Sequence, residues 1–172
     1  MRYEDARDAG PIGRLHGSAF PTPAEAALVG ALRAAGRLAL SLVAVVEEGL
    51  VGHVAFSPVT IARPVVTASP WPGAGLGLAP LAVASTHRRR GIGAALVEAG
   101  LARCARDGIG YVVVLGEPHY YRRFGFARAS DWGLANEYGA VEEFMVLELR
   151  PGAVSPGGGL VRYAPEFAAL GS

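Results

Sequence analysis

The stretch from Leu76 to Gly116 limits the fold more than any other part of the chain. It opens with "LGLAPLAVA", an apolar run of strand length. "STHRRR" follows, then "GIGAALVEAGLARCARDG", where Val97, Leu101 and Cys104 recur on one helical face and Gly108 stands as a C-terminal cap. "YVVVLG" closes the stretch as a short buried strand. A strand, a helix and a second strand in so few residues form a crossover. The two strands must then be parallel, with the helix on one face of their sheet.

Around this unit the pattern is mixed. "MRYEDA" reads as a first strand, and "DAGPIGRLHGSAF" and "PAEAALVGALRAAG" as two helices, the second with Ala26, Val29, Leu32 and Arg33 at helical spacing and Gly36 as its stop. "LALSLVAVVEEGLVGHVAFSPVTI" is rich in Val and Leu and broken by "EEG", which predicts a hairpin of two antiparallel strands. "ARPVVTASPWPGAG" is a loop by its prolines and glycines. After the crossover come a short helix "PHYYRRFG" opened by Pro118, strands "FARA" and "EEFMVLELR", and a Gly/Pro-rich tail ending in a weak strand and a helical turn. The fold class expected is α/β (α+β) with a mixed, mostly antiparallel sheet.

The turn between Ser85 and Gly93 breaks a local rule. Arg88, Arg89 and Arg90 put positive charge at a helix N-terminus, which already carries about half a positive charge and about four unpaired N–H groups. An anion would resolve the conflict, and Gly91 and Gly93 would let it reach the backbone. The competing reading is a surface turn with solvated arginines. The third glycine of a dinucleotide fingerprint is missing. Pro80, within "LGLAPLAVA", either starts a shorter strand or marks a bulge that leaves backbone groups of a central strand unpaired.

Composition removes other classes. No apolar run approaches the roughly 18 residues of a membrane span. The charged opening "MRYEDARDAG" lacks the apolar centre of a secretory signal, so a cytoplasmic location and no membrane partner are expected. All 16 basic residues are Arg, which excludes a catalytic lysine and a GK[ST] phosphate loop. A net charge of +1 without interleaved aromatics argues against a nucleic-acid partner. One cysteine, Cys104, and four scattered histidines give no metal site.

"LAVASTHRRRGIGAALVEAG" with "YVVVLGEPHYYRRFGF" behind it resembles the GNAT superfamily of N-acetyltransferases. Its [RQ]-x-x-G-x-[GA] motif corresponds to Arg88-Arg89-Arg90-Gly91-Ile92-Gly93, and its Y-x-x-x-G-F pattern to Tyr121 through Phe126. "LGLAPLAV", "VLGEPHYYRRFGF" and "FMVLELRPGAV" are similar to a bacterial subgroup of small N-acetyltransferases.

The resemblance implies a GNAT-like sheet split at a bulged central strand, with one domain over 1–150 and a C-terminal extension over 151–172. Acetyl-CoA would be the co-substrate, without a metal. Backbone groups of Leu81, Ala82 and Val83 would hold the pantetheine arm, and Arg88, Arg89, Arg90, Gly91, Ile92, Gly93 and Ala94 the pyrophosphate. An unidentified primary amine would attack the thioester directly in a ternary complex, and two copies could pair as a homodimer.

A strand N–H around Leu81 to Val83 would stabilise the oxyanion. Tyr121 would be the acid for the leaving thiolate, with Tyr120 as the competing candidate. Glu117 is the first candidate base by position, followed by His119 and His53, and ordered water alone is the alternative. Acceptor choice would fall to the first two helices and the loop Arg63 to Gly75, with Trp71 and Trp132 as candidate pocket walls. The rival to a transferase is an acyl-CoA-binding sensor that lost turnover.

Overall fold

Three antiparallel strands, β1 (Arg2–Tyr3), β2 (Leu40–Val46) and β3 (Gly49–Ala62), open the sheet in a computed structural model that describes residues 1–62, 74–154 and 157–170. β2 and β3 are the expected hairpin, with Leu40 opposite Phe56 and Val43 opposite His53. A register shift, the mark of a β-bulge, falls between Ala44 and Val45 of β2. The chain forms two compact units. One comprises Met1–Ser57, Ala79–Gly100 and Pro165–Ser172, the other Pro58–Leu78 and Leu101–Ala164.

In the first unit, the alternation of β3 decides what covers each face. Side chains at even positions face α3 (Ile92–Arg106): a Cβ on Gly52 would lie 2.9 Å from Ile92 and Leu96, and one on Gly100 would lie 2.5 Å from the Phe56 ring. The odd position 53 meets α1 (Ala9–Ala19) instead, through His16. Helix α2 (Ala24–Ala34) follows, burying Leu28, Val29 and Leu32. Ile12, Val29 and Val43 form a core cluster with Leu38 and Leu50 against it. α1 survives Gly10, Pro11, Gly13 and Gly17 because Pro11 falls in the first turn, where its missing N–H costs nothing.

β4 (Gly75–Val83) contains Pro80 in its interior and not at its start, and the Ala79–Pro80 peptide is cis. In the second unit, Gly75, Leu76 and Gly77 of β4 pair in parallel with Tyr111, Val112 and Val113 of β5 (Tyr111–Leu115). The paired register ends there, while β4 runs on to Val83. The crossover read from the sequence is therefore present, and Gly108 caps its helix with φ +79 and the Ile109 N–H donating to the Cys104 carbonyl at 3.0 Å.

Beyond β5 lie α4 (Pro118–Arg122), β6 (Ala127–Arg128), β7 (Leu134–Asn136), β8 (Phe144–Glu148) and β9 (Gly159–Arg162). β5 and β6 both pair antiparallel with β8. β9 pairs antiparallel with the end of β3 and parallel with β7. The tail is thus built into the sheet, and Glu166, further along it, forms an ion pair with Arg37. The result is a mixed, mostly antiparallel sheet with helices, as expected. Among the described residues, no helix is long and apolar enough to cross a membrane.

Candidate functional site

In the turn after β4 the Ala84 N–H donates to the Val51 carbonyl and the His87 N–H to the Ala84 carbonyl, both at 2.8 Å; the amides that follow, up to Ala94, have no such partner among the described residues. Arg89 has φ +60 and Gly91 φ +79, both left-handed, and successive turns of this kind aim N–H groups at one point. For Arg89 the conformation costs about 1–2 kcal/mol, because its Cβ crowds the following carbonyl. The N–H of Ala95 donates to the Gly91 carbonyl at 3.0 Å and starts the helical ladder. The amides from Gly91 to Ala94 precede that ladder, and among the described residues no side chain caps them. A Cβ on Gly91 would meet no atom within 4 Å, so the space over it is open. Arg88, Arg89 and Arg90 are exposed, and Arg88 Nε donates to the Val83 carbonyl at 3.4 Å. Leu81 and Val83 are half-buried while Ala82 is buried, so the end of β4 presents one face outward. This is a cationic, donor-rich segment suited to a diphosphate.

In the second unit, Tyr121 lies on α4, buried, with its ring edge-on to Phe126 at 5.7 Å and to Tyr120 at 5.0 Å. Burial, then the neighbouring Tyr120, push its hydroxyl up to about 12, so it stays protonated at neutral pH. Gly116 leaves room for that ring, since a Cβ there would run into it. Tyr120 is only half-buried and carries the Arg123 guanidinium over its face at 4.4 Å.

Glu117 is the N-cap of α4: its carboxylate accepts from the His119 N–H at 3.0 Å and the Tyr120 N–H at 2.7 Å. The His119 and Tyr120 amides hold it below the usual carboxylate range, which makes it a weaker proton acceptor than a free carboxylate. His119 itself is exposed.

His53 is fully buried in the first unit and belongs to a hydrogen-bonded line that sequence reasoning missed. Arg33 donates twice to the Glu4 carboxylate, both at 3.0 Å. The Ser41 hydroxyl donates to Glu4 Oε2 at 2.6 Å. His53 Nε2 lies 2.8 Å from Ser41 Oγ, and His53 Nδ1 lies 2.8 Å from His16 Nε2. Burial raises Glu4, but the bonds from Arg33 and Ser41 outweigh it and hold the carboxyl below its usual range.

An ionised carboxylate can only accept, so Ser41 donates to it and takes its own bond from His53 Nε2–H. His53 Nδ1 is then an acceptor and His16 carries its proton on Nε2. His16 Nδ1 is left as a bare lone pair, buried and without a partner among the described residues. An orphaned buried acceptor costs about 1–3 kcal/mol. Burial holds His16 down to about 4, and burial followed by the charge on His16 holds His53 down to about 3, so both rings are neutral near pH 7. His16, Ser41 and Glu4 lie far apart in sequence, and the only local signal was polar residues set in apolar runs.

Trp132 ends a short 3-10 turn and is 38% exposed. Trp71 and nearly all of the loop expected to choose the acceptor lie outside the described residues.

Residues 38–128 match the sequence profile of the acetyltransferase (GNAT) domain. The chain is 38% identical over 169 residues to YhbS of Escherichia coli K12, named an uncharacterized N-acetyltransferase, covering 97% of both chains. A crystal structure of E. coli YhbS in complex with CoA superposes with a TM-score of 0.87 at 38% identity, covering 97% of this chain and 90% of that one. A GNAT family acetyltransferase from Brucella melitensis in complex with acetyl-CoA gives a TM-score of 0.76 at 33% identity, covering 96% of each chain.

Proposed function

Because the chain belongs to the GNAT superfamily of N-acetyltransferases, we propose that it moves the acetyl group of acetyl-CoA to a primary amine by direct attack. The observation that carries this reading is the run of amides from Gly91 to Ala94 that no side chain among the described residues caps, with open space at the Gly91 Cβ position, beside three exposed arginines. That set fits a diphosphate in charge and in its supply of donors. The CoA and acetyl-CoA held by the two solved relatives support the same ligand.

Bound acetyl-CoA supplies an acetyl group activated as a thioester. The chain's own residues do the rest. Amides of Gly91, Ile92, Gly93 and Ala94, with Arg88, Arg89 and Arg90, hold the pyrophosphate. Leu81, Ala82 and Val83 offer backbone groups to the pantetheine arm, and an N–H of this strand stabilises the developing oxyanion. Tyr121, protonated because burial raises its pKa, donates its phenolic proton to the departing thiolate. Glu117 fixes the start of α4 and through it the position of Tyr121. Residues 1–150 carry these groups, and 151–172 complete the sheet.

Calorimetric titration with acetyl-CoA, followed by release of free CoA thiol in the presence of a panel of primary amines, tests the reading. Binding with amine-dependent release is expected. Binding without release for any amine would make the protein an acyl-CoA sensor, and no binding would remove the cradle.

A further inference from the structure

In the first unit, a pocket of ≈ 370 Å³ lies between one flank of α1, the turn from β2 to β3 and the residue that ends β4. That volume is at the small end of the range, about 300–1,000 Å³, in which proteins hold small ligands. Pro11, Arg14, Leu15 and Ser18 line it from α1, at the i, i+3, i+4, i+7 spacing of a single helical face. Ala84 closes one side, its N–H donating to the Val51 carbonyl at 2.8 Å.

The floor is apolar because of an irregularity in the hairpin. Ala44 pairs with Gly52 and Val45 with Leu50, so Val51 is the extra residue of a bulge. A bulge re-aims the side chains beside it. Gly52 faces α3, whereas Leu50 packs against the cluster of Ile12, Val29 and Val43 and lines the pocket with Leu15.

The rim is polar, and its groups are uncommitted. Arg14 and Glu48 are exposed, carry opposite charges, and form no ion pair or hydrogen bond with each other or with any other group among the described residues. Arg14 lies back along α1 instead: a Cβ on Gly10 would stand 3.4 Å from its Nη1. Glu48 sits in the turn after Val46, where Gly49 at φ +125 swings the chain into β3. The Ser18 hydroxyl gives its one proton to the Leu15 carbonyl at 3.0 Å, so toward the pocket it can only accept.

We propose that this pocket binds a small amino acid with an apolar side chain. Arg14 takes the carboxylate, and Glu48 with the Ser18 oxygen takes the ammonium. The side chain lies on Pro11, Leu15 and Leu50. A ligand with a single charge would meet either Arg14 or Glu48 with the wrong sign, whereas a zwitterion satisfies both. The site shares no residue with the diphosphate cradle and needs neither acetyl-CoA nor turnover. It therefore stands or falls apart from the transferase reading.

Calorimetry and amide NMR shifts on the full chain, without acetyl-CoA, test this with three probes. These are L-leucine, leucinamide, which lacks the carboxylate, and 4-methylpentanoate, which lacks the ammonium. L-Leucine should bind and shift the Leu50 and Ala84 amides, and each analogue should bind about tenfold more weakly or worse. Arg14→Ala should weaken L-leucine by roughly 10–100-fold, the range for a lost hydrogen bond to a charged group, and leave leucinamide unchanged. Glu48→Ala should weaken L-leucine similarly and leave 4-methylpentanoate unchanged. Neither side chain holds a partner within the protein, so both variants should melt with the wild type. No response of the wild type to millimolar L-leucine, shifts confined to residues away from the pocket, an analogue that binds as tightly as L-leucine, or L-leucine affinity indifferent to both substitutions would overturn the proposal.

Discussion

His16 Nε2 stands 2.8 Å from His53 Nδ1, and the two rings meet edge-on at 89° in a fully buried setting. Both rings resist protonation there, at about 4 and about 3 against an ordinary 6.5. Below pH 6.5 the unfolded chain takes up protons that the folded chain refuses, so stability should fall as pH falls from 6.5 toward 4. Each unit of pKa difference is worth about 1.4 kcal/mol per ring. Urea midpoints measured from pH 7.5 down to 4.5 will show this slope; a flat profile would mean the rings are exposed or charged in solution.

Gly91→Glu should abolish acetyl-CoA binding by placing a carboxylate and its bulk where the diphosphate sits. The protein itself has open space at that Cβ, so the internal cost is that of a side chain at φ +79, about 1–2 kcal/mol. Calorimetry should read no binding while the melting curve stays cooperative. Retained affinity would place the cradle elsewhere.

Tyr121→Phe should reduce turnover by about 10²–10⁴-fold while sparing acetyl-CoA affinity. With its hydroxyl raised to about 12, the wild-type rate should hold on the alkaline side beyond pH 10, where an ordinary tyrosine ionises. Unchanged turnover in the variant would return Tyr121 to the core with Phe126.

Glu117 separates capping from base chemistry. Asn caps helices well and cannot take a proton, so Glu117→Asn should keep more turnover and a higher melting temperature than Glu117→Ala. Equal and severe loss of turnover in both, with both folded, would make the carboxylate itself essential.

Gly100→Ala should destabilise the fold, against the usual gain from replacing a helical glycine. The added Cβ would lie 2.5 Å from the Phe56 ring, and such overpacking costs about 1–3 kcal/mol. Gly100→Ala with Phe56→Leu should recover part of the loss in denaturant titrations.

Read alone, the sequence fixes what is periodic or punctuated. The alternation and "EEG" break gave the β2–β3 hairpin, and the helical spacing from Ile92 with Gly108 behind it gave the crossover. The arginine–glycine turn was legible for the same reason: a helix start and its charge are local properties. Pro80 was not decidable locally, because a proline can start a strand or interrupt one, and only the folded chain shows β4 running from Gly75 to Val83 around it. β9 read only as a weak strand and β7 was missed, since each is short and finds its partner far along the chain.

Tertiary structure alone decided the side-chain partnerships. No pattern joins His16 to His53 across 37 positions, or Arg33 to Glu4 across 29, because hydrogen bonds between elements depend on which faces the packed core turns together. Glu117 looked like a free carboxylate after a strand, and the folded backbone made it a cap. Local sequence determines which elements form and where their free amides lie; the burial of one element against another determines which polar groups share a proton.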